Sequence, residues 1–194
     1  MSRYTQQAIM QSFRNQLAQK PINKITVADI AQESGINRQT FYYHYRDIYE
    51  LAQQVCEADM QTILKGRRHY DSWQEDFAAI FELAISKKIY VENIFRGIPA
   101  ETLQQAMYRM VFPLVMDVVD EKAELYAVTE EGKKGIASFY NCALVGLFME
   151  WVRLGMAEEP GKIVRRVSAI LDGTLEHALK ILQTQESVCD VQND

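Results

Sequence analysis

The chain has few of the residues that mark a stapled, metal-bound or secreted protein. Its 194 residues include only three cysteines, Cys56, Cys142 and Cys189. They lie far apart and never form a Cys-x-x-Cys pair, which excludes a disulfide framework or a thiolate zinc site as the organising element. They read as reduced thiols, with Cys142 a small core residue. The three histidines, His44, His69 and His177, are equally scattered, so neither a metal nor a cofactor is expected. His69 and His177 read as surface residues. There is no secretory leader pattern and no consecutive apolar run of bilayer length, so a cytoplasmic protein is expected. No Ser/His/Asp grouping, catalytic carboxylate pair or glycine-rich phosphate loop is visible, and an enzyme is not expected. Strand-like alternation is rare.

What remains is helical pattern. The composition is 48% hydrophobic and 24% charged, enough for a core without cross-links. Most of the nine glycines and four prolines fall near helix ends. Ile9, Phe13 and Leu17 recur at i, i+4, i+8 in a first helix from about Thr5 to Gln19. Thr26 caps a short second helix that Gly35 stops. Asn37 caps a third through about Tyr45, and Asp47 a fourth from Ile48 to about Leu64. Ser72-x-x-Glu75 reads as a capping box, opening a helix with Phe77, Ile80, Phe81 and Ala84. Further helices are predicted at about Tyr90–Phe95, from Pro99 to Lys122 with a bend at Pro113, from Thr129 to Gly155, and from Pro160 to Gln183. The result is an all-α chain of about nine helices, with residues 187–194 expected to be a disordered tail.

Net charge is −5, which argues against nucleic acid until its distribution is read. Residues 1–46 hold six basic and two acidic side chains, a net +4, and the rest holds 15 basic and 24 acidic, a net −9. The basic part contains two short helices joined by a tight glycine turn, with an earlier helix to pack on. That is a helix-turn-helix pattern. Ala28, Ile30, Ala31, Ile36, Phe41 and Tyr45 suffice for a small core with Ile9 and Phe13. Arg38, Gln39, Thr40, Tyr42, Tyr43 and His44 are then left outside, and each can donate a hydrogen bond to a phosphate or a base edge. The division predicted is residues 1–46 as a DNA-binding unit and residues 47–186 as a regulatory and dimerisation unit.

The stretch ITVADIAQESGINRQTFYYHYRDIYEL, Ile25 to Leu51, resembles the TetR family of bacterial transcriptional regulators. The resemblance implies base contacts by Arg38, Gln39, Thr40 and Tyr43, and phosphate contacts by Thr26, Tyr42 and His44. Family members usually carry a phosphate-binding Lys where this chain has Ile48; either Arg46 replaces it or this backbone contact is absent. The stretch FYNCALVGLFMEWVRLGMAEEPGKIV, Phe139 to Val164, is similar to a subgroup that includes regulators of dihydroxyacetone kinase operons. That likeness allows an activator signalled by a protein partner, as the alternative to a repressor released by a small molecule. A third alternative is an interaction module without DNA binding.

Phe77, Phe81, Met107, Tyr108, Phe112, Phe139, Tyr140 and Trp151 are candidate effector-pocket residues, with plain core packing as the other reading. Small and apolar residues on the last two long helices suggest a four-helix dimer interface at Gly146, Ile163, Val167, Ile170, Thr174 and Ala178. The other reading is packing within one chain.

Overall fold

A computed structural model describes residues 3–64, 73–171 and 173–192. Among these the chain is all helical: α1 (Arg3–Leu17), a 3-10 turn (Ile22–Lys24), α2 (Val27–Ser34), α3 (Arg38–His44), α4 (Ile48–Leu64), α5 (Trp73–Ser86), α6 (Lys88–Gly97), α7 (Ala100–Ala123), α8 (Glu130–Arg153), α9 (Pro160–Leu171) and α10 (Thr174–Gln192). The expected box at Ser72, the connector before it and His69 lie outside the described residues, as does the Cys189 side chain.

Two compact units are present, Met1–Ile63 with Leu83–Ala106, and Leu64–Glu82 with Met107–Asp194. The first is built on Ile9, Phe13, Leu17, Ile30, Phe41 and Tyr45, all essentially without solvent exposure. Ala28 and Ile36 are only half-buried, at the edge of that core. Gly35 ends α2 in the left-handed conformation at φ 68, which a residue without Cβ adopts freely. Its neighbour Ile36 then donates back to the Ala31 carbonyl at 3.0 Å, closing the helix end. α6 packs on this unit: the buried Asn93 Nδ2 donates to the Leu17 carbonyl at 2.8 Å. Asp59 of α4 joins Arg14 of α1 at 2.9 Å and Lys87 at 2.7 Å.

The second unit is centred on Val115, Val119, Ala123, Ile136, Ala137, Tyr140, Leu175 and Leu179 from α7, α8 and α10. By length and composition α8 is apolar enough to cross a membrane, although it holds no consecutive apolar run of that length. Of its inward stripe, Ile136, Ala137 and Tyr140 lie in this core, and Val145, Trp151 and Val152 are also buried. The single last helix expected from Pro160 is two helices. Gly173, at φ 71, separates α9 from α10, and α10 continues to Gln192, past Glu186 where a frayed tail is expected. Cys142 is exposed on α8, not in the core, because it falls opposite the inward stripe.

Candidate nucleic-acid interface

The Thr26 hydroxyl accepts from the Asp29 N–H at 3.2 Å, and Asp29 Oδ2 accepts from the Thr26 N–H at 3.0 Å. This reciprocal box fixes the start of α2. Lys20 Nζ lies 2.8 Å from the same carboxylate. The Lys20 ammonium, followed by the two Thr26 groups, holds the Asp29 carboxyl down to about 2. Glu33 ties α2 to α1 by accepting from the Asn15 and Gln16 amides at 2.7 and 2.6 Å. These donors, Asn15 first, hold its carboxyl below the usual range.

α3 is pinned by Phe41, which is buried against Tyr45 at a centroid distance of 5.7 Å. The opposite face is open. Arg38 and Gln39 are exposed and Thr40 is half-buried, while Tyr42 and Tyr43 stand 58% and 69% exposed. Phe41 stacks edge-on with Tyr42 at 5.6 Å, and His44 edge-on with Tyr43 at 5.2 Å, which steadies both phenols. His44 is half-buried, and its Nε2 is enclosed without a hydrogen bond.

Arg46 is exposed, with Nε 3.2 Å from Asp47 Oδ2. Its guanidinium retains donors beyond that bond. Ile48 is 8% exposed, so the position where the family carries a cation serves the core here. Thr26 is exposed at the start of α2. Lys24, in the 3-10 turn, is exposed and has no ion pair among the described residues. Its place two residues before the Thr26 cap is the one sequence signal that marks it.

The pocket candidates divide into groups. Phe77, Phe81 and Trp151 come together, with ring centroids 4.8 Å apart for Phe77–Phe81 and 4.7 Å for Phe81–Trp151, and Phe148 joins them at 5.3 Å from Phe81. Phe112 packs on the α7–α8–α10 core that contains Tyr140. The Tyr140 hydroxyl lies 2.8 Å from Thr174 Oγ1. Met107 is buried, and the Tyr108 carbonyl accepts from the buried Asn141 amide at 3.0 Å. Phe139 is 69% exposed. It precedes Tyr140 by one residue of helix, about 100° around the axis, and so points elsewhere.

Among the interface candidates, Ile163 and Val167 are turned into the core of their own unit. Ile170 shares their stripe but stands 65% exposed at the end of α9. Gly146 and Ala178 are half-buried and Thr174 is exposed. Phe139, Cys142, Leu147 and Ile181 extend this outer surface of α8 and α10.

Comparison with known proteins matches this architecture. A profile described as bacterial regulatory proteins, tetR family, matches residues 9–55. A second, described as transcriptional regulator C-terminal region, matches residues 71–173. The HTH-type dhaKLM operon transcriptional activator DhaS of Lactococcus lactis subsp. lactis (strain IL1403) is 28% identical over 91 residues, 47% of this chain and 49% of that protein. YxbF of Bacillus subtilis (strain 168), described as an uncharacterized HTH-type transcriptional regulator, is 26% identical over 178 residues, 87% of this chain and 44% of that one. The chain thus spans about half the length of the curated relatives it matches. Among solved structures, a dihydroxyacetone kinase operon activator DhaS superposes with TM-score 0.64 at 21% identity, over 92% of this chain and 98% of that one. NalD, the secondary repressor of the MexAB-OprM multidrug efflux pump in Pseudomonas aeruginosa, gives 0.53 at 13%, over 90% and 96%. These structural likenesses show the fold. With residues 9–55 and 71–173 matched in order, the chain belongs to the TetR family of bacterial transcriptional regulators, whose members bind DNA operators.

Proposed function

We propose that the chain is a cytoplasmic, homodimeric repressor that binds a pseudo-palindromic operator, and that it acts by binding and not by catalysis. Residues 1–46 form the DNA-binding unit and residues 47–186 the regulatory and dimerisation unit. Arg38, Gln39, Thr40 and Tyr43 face base edges, and Thr26, Tyr42, His44 and Arg46 hold phosphates. The observation that carries this reading is the open face of α3. It sets two exposed tyrosines and an arginine on a helix whose other side is fixed in a core. Selecting bound sequences from random double-stranded DNA tests it. A symmetric motif supports the reading, and absence of any enriched sequence contradicts it.

The signal on this reading is a small molecule that enters among the pocket candidates and shifts the population between DNA-competent and incompetent forms. Buried Asn141 Oδ1 has no protein partner and supplies an acceptor for an effector's donor. A second reading, an activator signalled by a protein partner, is favoured by the likeness to a named operon activator in Lactococcus lactis. Reporter expression from the operator, with and without the gene for the chain, separates the two: loss of the chain raises expression for a repressor and lowers it for an activator.

A further inference from the structure

We propose that Asn141 Oδ1 is the recognition point of a ligand site in the second unit, and that the site takes a neutral, largely apolar small molecule carrying a hydrogen-bond donor, a hydroxyl or an N–H. This rests on the reading that the effector enters among the pocket candidates, and it specifies the chemical class they take. Asn141, on α8, is 4% exposed. Its Nδ2 donates to the Tyr108 carbonyl of α7 at 3.0 Å. Its Oδ1 is enclosed and has no hydrogen-bond partner among the described residues.

The bond to α7 fixes the polarity of the free atom. A backbone carbonyl only accepts, so the carboxamide atom facing Tyr108 is the nitrogen. Turning the amide over would set two oxygens against each other and leave the NH2 unpaired. Asn141 therefore holds its carbonyl in place as an acceptor and cannot present a donor there. A buried acceptor is unfavourable until something supplies it with a proton to share.

The surroundings decide what can supply it. The Tyr108 carbonyl points along α7 toward the next turn, where Val111 and Phe112 stand three and four residues on. Leu144 and Val145 stand at the same spacing from Asn141 on α8. Val111, Phe112 and Leu144 are partly buried apolar side chains packed against the α7–α8–α10 core, and Val145 is buried. The amide thus lies beside apolar walls that still touch solvent. Ser12, Asn93 and Asn141 are the buried polar side chains among the described residues; none is charged, and of the three only Asn141 belongs to the second unit. An ammonium would be desolvated there against one amide oxygen, with no buried counter-charge. A carboxylate or phosphate would meet a lone pair. A lone water needs two to four polar partners, and this spot offers one free acceptor. A neutral hydroxyl or N–H satisfies Oδ1 and leaves the rest of its molecule to the apolar walls.

Calorimetric titration of the full chain tests this with probe pairs of matched shape, indole beside benzofuran and phenol beside fluorobenzene, and with benzoate and benzylammonium as charged controls. In each pair only the first member carries a donor. That member should bind about three- to tenfold more tightly, the scale of one hydrogen bond. In a site without an acceptor its stronger hydration would favour the other member instead. The charged controls should bind more weakly than either. In Asn141→Leu, an apolar replacement of similar size, the preference within each pair should vanish while the donor-free members keep their affinity. Asn141→Ala repeats that arm if Leu lowers the melting temperature. The proposal is overturned if no neutral probe binds at millimolar concentration, as a trapped water alone would leave it. It is also overturned if the two members of each pair bind alike to wild type, or if the preference survives in both variants. Operator titrations with saturating indole run alongside. A donor preference that depends on Asn141, with no change in operator affinity, supports this site and contradicts the effector reading. A probe that changes operator affinity equally in wild type and Asn141→Leu supports the effector reading and overturns this inference.

Discussion

Asn93 Nδ2 reaches across 76 positions of sequence to donate to the Leu17 carbonyl at 2.8 Å. That carbonyl closes α1, and its helix-end acceptor is otherwise without an intrahelical partner. A buried side chain on α6 thus completes the first helix of the reading unit. Asn93→Ala should destabilise the fold by about 1–3 kcal/mol, because a buried acceptor is left unsatisfied. Urea denaturation measures this as a lower midpoint at unchanged slope. An unchanged midpoint would mean that the bond contributes nothing.

The close approach of α6 to the 3-10 turn offers a second check. A Cβ on Gly97 would stand 2.5 Å from Ile22 Cγ2 and 2.9 Å from the Asn23 backbone nitrogen. Gly97→Ala must push backbone aside and should cost about 1–3 kcal/mol, as overpacking does. It should also lower operator affinity, since Ile22 lies in the segment that leads to Thr26. Thermal melts and DNA titrations on the same preparation test both effects.

Asp29 gives the reading unit a defined acid sensitivity. Its folded carboxyl is held near 2, from an ordinary 3.8, by Lys20 and Thr26. A depressed folded pKa adds stability above the unfolded value and loses it as pH falls toward the folded one. The stability gap between wild type and Asp29→Asn should therefore be full at neutral pH and shrink between about pH 4 and pH 2. Melting temperatures across that range measure it, and a gap that does not depend on pH would contradict the ion pair.

The outer surface of α8 and α10 predicts the assembly. A Cβ on Gly146 meets nothing within 4 Å in its own chain, so Gly146→Ala should leave the fold intact. Gly146→Arg should fold but fail to dimerise, because the dimer would bury an unpaired charge. Sedimentation at micromolar concentration should show twice the chain mass for wild type and one chain mass for Gly146→Arg. A monomeric wild type would refute the dimer.

The helix-turn-helix was legible because its signals are local. Thr26, Gly35 and Asn37 each state a helix boundary through their own backbone chemistry, and the split between Phe41 and Tyr45 inside and Tyr42 and Tyr43 outside follows from helical spacing. The second unit was less legible because its stripes compete. Ile163 and Val167 are as apolar as an interface needs, yet α9 turns them inward. Phe139 and Tyr140 are neighbours in sequence that diverge by one helical step. Gly173 breaks the last helix where periodicity alone continues it. No local pattern announces Asn93, whose partner is on another helix far away in sequence.

The central claim is that the open face of α3 reads DNA. Titrating wild type, Arg38→Ala and Tyr42→Phe against the operator, a point-mutated operator and random DNA, each at several salt concentrations, tests it most directly. Tyr42→Phe should weaken every sequence alike by about 1 kcal/mol per half-site with little change in salt slope, since a neutral hydroxyl releases no counterion. Arg38→Ala should remove roughly 1–3 kcal/mol of discrimination at one symmetric pair of positions and weaken random DNA less. Unchanged affinity of both variants for all three DNAs would show that α3 does not enter the groove.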